Sequence, residues 1–213
     1  MIHEKPHCPL CSKRTAFFAK NTLGAYFFCP ECKGIHLHKT IRLDKHHEKQ
    51  RYLEHNNDVN DPGYRKFVWP IVRMVLKNFS ASDRGLDFGA GPGPVISTML
   101  KEKGYTISLY DPFFYKDETV LQTQYKYIVC CEVMEHFFEP YKEFKKIFGL
   151  LQKHGTLYCK THLYDESIHF EKWYYAKDPS HVFFYQKETI EWIKKRIGFE
   201  TVHIEDRLII LSK

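Results

Sequence analysis

The chain has 213 residues, 43% of them hydrophobic, and a formal net charge of +6, which suits one catalytic domain with a small appendage. No apolar run approaches the ~18–20 residues that span a bilayer and no secretory leader opens the chain, so a cytoplasmic protein without a membrane partner is expected. Seven cysteines in such a chain argue for metal or buried thiols ahead of disulfides, and the ten Lys and Arg against six Asp and Glu in residues 1–60 are too thin a basic face to favour a nucleic-acid footprint.

Cys8-Pro9-Leu10-Cys11 and Cys29-Pro30-Glu31-Cys32 are two C-P-x-C knuckles. Thr15 to Lys20 and Ala25 to Phe28 read as strands joined by the turn Asn21-Thr22-Leu23-Gly24. Two C-x-x-C pairs bridged by a hairpin form the pattern of a zinc ribbon, here over residues 1–38. The predicted metal ligands are Cys8, Cys11, Cys29 and Cys32, around a structural Zn²⁺ with no open position. With four thiols present, His36 and His38 are expected to be solvated. The ribbon and the catalytic domain are each expected to have a core of their own.

Residues 39–60 form a polar bridge. Asp44 can cap a helix over residues 45–54, with Glu48 and Arg51 at a favourable spacing. The stretch from Arg51 to Asn57 is rich in polar donors, so the segment reads as a linker helix or a lid. Tyr64 to Phe79 is helical by pattern, with Phe67, Val68, Ile71, Val72, Val75 and Leu76 on one face and a kink or break expected at Pro70.

Arg84 to Phe88 reads as a buried strand, and Gly89, Gly91 and Gly93 follow in a turn free of Cβ atoms. Pro94 to Lys103 reads as a helix. Glycines at such a turn bring backbone N–H groups and a helix N-terminus close to a ligand. Thr106 to Tyr110 is a second strand ending at Asp111, where a carboxylate can accept hydrogen bonds from ribose hydroxyls. Only about fifteen residues separate Asp111 from the next strand, Tyr127 to Cys131, so the intervening helix and strand are expected to be shortened or missing. That strand runs into Glu132-Val133-Met134-Glu135-His136.

These residues resemble class I S-adenosylmethionine-dependent methyltransferases, in the branch whose fourth strand ends in Glu-Val-x-Glu-His. The resemblance covers about residues 84–213. It implies a Rossmann-like α/β domain over residues 61–213, with about seven strands, mostly parallel, one antiparallel near the C-terminus and a shortened third-strand edge. It also implies that S-adenosylmethionine lies across the carboxyl ends of the strands, with Asp87, Gly89, Gly91, Gly93, Asp111, Pro112, Cys131 and Glu132 around it. A dehydrogenase would need a second half-sheet, for which too little sequence remains. The carboxylate that commonly approaches the adenine amino group has no clear match. Asp117 and Glu118 are the candidates.

Tyr141 to Leu151 reads as an amphipathic helix ended by His154-Gly155, and Thr156 to Thr161 as the next strand. Leu163 to Tyr185 is a long insertion rich in aromatics, followed by a helix over Glu188 to Ile197 and two closing strands. A loop this long in a compact domain is functional or disordered, and its aromatics argue against disorder. Two readings stand: an aromatic staple, or an acceptor wall built from Trp173, Tyr174, His181 and Tyr185. For a general base the candidates are His181 first, then His136, with Glu135 as a partner.

The strand after Tyr127 lacks both the Asn/Asp-Pro-Pro-aromatic sequence of amine methylation on bases and the Pro-Cys of cytosine C5 enzymes. A small-molecule acceptor methylated on O, C or N is therefore expected. A ribosomal or transfer RNA acceptor contacted through the zinc ribbon is the alternative, and a non-catalytic cofactor- or partner-binding module is the reading from another class.

Overall fold

The structure is a computed structural model that describes residues 6–55 and 58–213. In chain order the elements are β1 (Ala16–Lys20), β2 (Ala25–Phe28), β3 (Ile35–Leu37), α1 (Lys45–Leu53), α2 (Pro62–Asn78), β4 (Gly85–Phe88), α3 (Val95–Lys101), β5 (Ile107–Tyr110), β6 (Tyr125–Cys131), α4 (Pro140–Leu150), β7 (Leu151–Lys160), β8 (Phe183–Phe184), α5 (Lys187–Ile193), β9 (Thr201–Glu205) and β10 (Leu208–Ser212). Local chemistry places most of their ends. Asp44 accepts from the amides of His46 and His47, and Asp61 caps α2 just ahead of Pro62 at its first turn. The expected break at Pro70 is absent: α2 runs on through it.

The larger sheet has six strands in the order β5-β4-β6-β7-β10-β9. The pairs among β5, β4, β6 and β7 are parallel, and β10 pairs antiparallel with both β7 and β9. Among the described residues this sheet has six strands where about seven are expected, and the edge expected to be shortened or missing holds no strand. Glu118–Gln122 is one short 3-10 turn, so β5 is an edge. Fourteen residues between β5 and β6 cannot hold a helix and a further parallel strand. His154-Gly155 does not end α4. It lies inside β7, where the pairing with β6 jumps from Tyr125↔Leu151 to Tyr127↔Thr156 and His154 takes φ +60°, the signature of a bulge.

Side chains alternate across this sheet. Tyr127 and Val129 of β6 face Val68, Ile71, Val72 and Val75 of α2 and the apolar side of α3. Ile128 and Cys130 face Phe144, Ile147, Ile190 and Ile193 of α4 and α5.

The smaller sheet departs from expectation. Its order is β1-β2-β3-β8, so the hairpin of the N-terminal region takes its fourth strand from the 163–185 insertion. The cores merge as well. Cys8, Leu10, Cys29 and Cys32 pack in the same cluster as Phe144 and Ile190, while Tyr26, Ile35 and Leu37 pack with Phe170, Trp173 and Phe184. The expectation of separate cores is therefore corrected. His36 and His38, expected in solvent, are both buried and lie against Phe27.

Candidate active site

A cavity of about 1030 Å³ opens at the carboxyl ends of β4, β5 and β6. One wall is the glycine turn. Gly89 and Gly91 adopt φ of +80° and +62°, in the left-handed region where a side chain is strained. A Cβ on Gly89 would strike Val133, whereas one on Gly91 would meet nothing within 4 Å and would project into open space. Asp111, at the end of β5, braces the turn. Its Oδ2 accepts from the Gly91 amide at 3.0 Å and its Oδ1 from the amides of Phe113 and Phe114. Oδ2, with one bond made, still has a lone pair for a ligand hydroxyl. Asp87 is buried beside it and accepts from Ser97 Oγ at 2.7 Å; burial pushes its carboxyl up to about 6. Pro112, Cys131 and Glu132 complete this side, and Glu132 stands at φ +52° with Oε1 buried and unpartnered among the described residues. Every residue expected at the cofactor thus lines one cavity. Asp117 and Glu118 do not reach it.

The facing wall comes from α1, the turn after β6 and the insertion. Glu48, Arg51, Tyr52 and His55 line the cavity. Arg51 Nη2 meets Asp178 Oδ2 at 2.7 Å and Tyr52 donates to Glu48 at 2.7 Å. This differs from the expected Glu48–Arg51 pairing. Burial opposes the charge on Asp178, but hydrogen bonds from His55 and Arg51 hold its carboxyl well below the usual carboxylate range. Asn56 and Asn57 lie outside the described residues.

His136 and His181 line the cavity at the base of this wall, and Glu135, fully buried and not part of the lining, converges with them. Their rings and carboxylate are set by backbone and hydroxyl partners. His136 Nδ1 lies 2.9 Å from Ser180 O, and His181 Nδ1 lies 2.7 Å from Tyr175 O. A carbonyl only accepts, so Nδ1 carries the proton in both rings and Nε2 keeps its lone pair. Burial pushes His136 down to about 3 and His181 to about 4, so both are neutral at pH 7. Glu135 is fully buried and accepts from Tyr175 at 2.5 Å and Thr161 at 3.0 Å. Burial first, then the charge of Glu132, push its carboxyl well up.

The N-terminal sheet holds the segment that carries His181. Val182 O accepts from Leu37 of β3 at 2.9 Å, and Val182 N donates to Glu135 O at 2.9 Å. Asn21 and Tyr26 donate to Ala176 O, and Gln186 donates to Lys33 O. All but the Glu135 bond tie the insertion and the residue after it to the N-terminal sheet.

The acceptor residues expected from the insertion divide. Tyr174 and His181 line the cavity. Trp173 packs with Phe170, Tyr175 and Phe184, and the fully buried Tyr185 donates to Met134 O. Neither reaches the cavity, which corrects their assignment to an acceptor wall. The insertion thus packs as a staple and also lends residues to the cavity lining. Tyr175, which nothing in the sequence marks out among its aromatic neighbours, carries the hydroxyl that bridges Glu135 and Thr161. Tyr64, Phe67 and Lys160 are likewise unannounced by the sequence. Tyr64 and Phe67 line the cavity, and Lys160 Nζ lies 4.4 Å from the Phe67 ring centroid.

The thiols expected to bind metal also converge. Cys8 to Ser12 and Cys29 to Lys33 are matching turns. Ser12 and Lys33 both take φ near +60°, and their amides donate back to Cys8 O at 2.8 Å and Cys29 O at 2.9 Å. All four Sγ atoms lie within 4.8 Å of one another, with pairs at 3.3 and 3.5 Å. Zn–S bonds of about 2.3 Å put tetrahedral sulfurs about 3.8 Å apart, so the donor set fits that ion. Hydrogen bonds from Cys32 and Cys8 hold the Cys29 thiol far below its ordinary value.

The family model described as a methyltransferase domain matches residues 39–204, and the chain belongs to that family. Among solved structures, human N-acetylserotonin methyltransferase in complex with SAM aligns with TM-score 0.53 and 12% identity, over 80% of this chain and 56% of that one. An O-methyltransferase family protein from Burkholderia thailandensis aligns with TM-score 0.51 and 10% identity, over 70% and 56%. A SAM-dependent methyltransferase from Archaeoglobus fulgidus aligns with TM-score 0.50 and 17% identity, over 70% and 94%. At such identities the shared property is the fold, and the chain spans little more than half the length of the first two. No curated protein matches the sequence.

Proposed function

We propose that this protein is an S-adenosylmethionine-dependent methyltransferase with a small-molecule acceptor. The observation that carries the reading is the cradle at the glycine turn: open space over Gly91, with Asp111 fixed beside it at the end of β5. There Asp111 would accept the ribose hydroxyls, while Gly89, Gly91 and Gly93 leave room for the methionine portion. Cys131 and Glu132 would flank the cofactor on the β6 side. S-adenosylmethionine supplies a methyl group on a sulfonium: the acceptor atom bonds to that carbon as the carbon–sulfur bond breaks, and the electron pair stays on sulfur.

The chain's own contribution is placement and exclusion of water. Residues 39–60 serve as a lid, tied to the insertion by the Arg51–Asp178 pair. Tyr174 and His181 form the acceptor side, where neutral Nε2 atoms of His181 and His136 can take a proton, with Glu135 behind them. Cys8, Cys11, Cys29 and Cys32 hold a structural Zn²⁺ that keeps β3 in place for β8. The Burkholderia neighbour is described as an O-methyltransferase family protein, which favours an oxygen acceptor here. No helix among the described residues is long and apolar enough to cross a membrane.

Calorimetry with S-adenosylhomocysteine, followed by labelled methyl transfer to a panel of phenols, catechols and hydroxylated quinols, tests the reading. Binding plus label in an extracted small product supports it. Lack of binding ends it. Label in RNA, with binding that falls steeply with salt, would replace the small acceptor by RNA.

A further inference from the structure

The cavity's histidine corner has the make-up of a metal site as well as of a base. One nitrogen each from His136 and His181 and a carboxylate oxygen of Glu135 lie within 4.8 Å of one another. The two imidazole rings meet at 69° with centroids 4.8 Å apart, edge toward face. In each ring the Nδ1 proton is engaged by a backbone carbonyl, at Ser180 and Tyr175. That is the arrangement that fixes a metal-ligating histidine, because it holds the ring and leaves Nε2 as the donor. Glu135 has its own second layer, the hydroxyls of Tyr175 and Thr161. Beside it, Glu132 presents a buried oxygen that no group among the described residues satisfies. Glu135 is fully buried with no ion-pair partner among the described residues, and Glu132 is offset only by Arg207 and Lys160 beyond ion-pair distance, so a cation has a place between them.

We propose that Glu135, His136 and His181 bind a divalent first-row cation at the base of the cavity, with Glu132 as an outer or fourth oxygen donor. Two nitrogens and one carboxylate suit Mn²⁺, Fe²⁺ or Zn²⁺ better than Mg²⁺ or Ca²⁺, since imidazole is a borderline donor. Metal–ligand bonds of about 2.1 Å put neighbouring donors about 3.0–3.4 Å apart, within the 4.8 Å that bounds these atoms, so the ion would draw them together. Three protein ligands leave positions open to the cavity that the two histidines line. An acceptor with one hydroxyl, or two adjacent ones, fits those positions. With the ion bound, His136 and His181 are its ligands and not the base; the ion lowers the hydroxyl pKa, and the proton leaves to water. The role assigned to the ion rests on the methyltransferase reading. The site itself does not.

The probe is Mn²⁺ alone, added to protein whose ribbon is already loaded with zinc, because four thiolates discriminate against Mn²⁺. Electron paramagnetic resonance titration should show one bound Mn²⁺ per chain. Pulsed measurements on the same sample should show couplings to two imidazole nitrogens. His181→Ala and Glu135→Gln should each weaken Mn²⁺ binding at least tenfold. Protein that binds S-adenosylhomocysteine yet takes up no Mn²⁺, or binds it with oxygen ligands only, would overturn the site. Folded variants that bind Mn²⁺ as well as the wild type would overturn it too. The nitrogen couplings need no variant, so a variant that fails to fold does not blunt the test. Absence of S-adenosylhomocysteine binding with Mn²⁺ binding intact would refute the methyltransferase reading and leave the metal site standing.

Discussion

The two walls of the cavity are built in opposite ways. The glycine-turn wall comes mainly from one stretch, Asp87 to Pro112, with Cys131 and Glu132 added at the end of β6, and its key bond, Gly91 N to Asp111 Oδ2, closes within that stretch. The facing wall is gathered from α1, the turn after β6 and the insertion, and its tie between Arg51 and Asp178 spans 127 positions. The first wall depends on turn chemistry that any copy of the segment would carry. The second depends on the smaller sheet, which fixes Val182 between Leu37 and Glu135. Damage to the first should cost ligand binding alone. Damage to the second should spread.

Gly91→Val tests the local wall most severely. The substitution strains a φ of +62° and fills the cradle, so S-adenosylmethionine binding should drop below calorimetric detection in a protein that still folds, its melting temperature lowered by several degrees by the strain. Retained affinity would mean that the cofactor lies elsewhere. Cys29→Ser tests the gathered wall. It should release the metal and, because β3 pairs with β8, hydrogen exchange should accelerate across residues 163–185 as well as in the hairpin. Protection lost only before residue 39 would show two independent units after all.

A pH experiment separates Asp87 from the rest. Its folded value of about 6 lies above the ordinary 3.8, so the unfolded chain releases that proton first. The contribution is complete below pH 4 and is lost as pH rises through 6. Stability of the ligand-free wild type relative to Asp87→Asn should therefore fall between pH 4 and pH 7, by up to about 3 kcal/mol. A difference that stayed flat across that range would show that Asp87 titrates normally. Asp111→Ala should weaken S-adenosylmethionine binding by ~1.5–3 kcal/mol, the scale of hydrogen bonds to a charged group. A loss of more than that would implicate the Phe113 and Phe114 turn it also holds. Arg51→Ala should be mildest. Arg51 is 30% exposed, so its loss should cost about 1 kcal/mol of lid closure and appear as a few-fold rise in KM for the cofactor with kcat nearly kept. An unchanged KM would remove α1 from the site.

The same contrast explains what the sequence makes legible. The glycine turn, Asp111 and the two C-P-x-C knuckles can be read from it because their chemistry is local: positive φ at Gly91, a carboxylate at a strand end, paired thiols on a tight turn. Glu135, His136 and His181 can be named as candidates, but their convergence depends on backbone carbonyls at Tyr175 and Ser180, which no side-chain pattern announces. Trp173 and Tyr185 are misplaced by sequence because an aromatic at a pocket and an aromatic in a core look alike there; the difference is made by Phe170, Phe184 and Met134 around them. The two-residue strand β8 leaves no periodicity to detect. Without it, the hairpin looks self-sufficient.

The pairing of Ile35 with Phe184 also bears on how the chain is made. The two residues are roughly 150 positions apart, so the smaller sheet closes one of the longest loops in the molecule, and the entropy of that closure is borne late. On the ribosome, β3 emerges early and waits with a bare edge until almost the whole catalytic domain has been synthesised. A bare edge is where chains pair wrongly, which makes this interval the vulnerable one in biogenesis. In a pulse-labelled refolding experiment the Leu37 amide, bonded to Val182, should gain protection after the β1–β2 hairpin amides and together with Val182 itself; simultaneous protection of all three would show that the edge is never exposed.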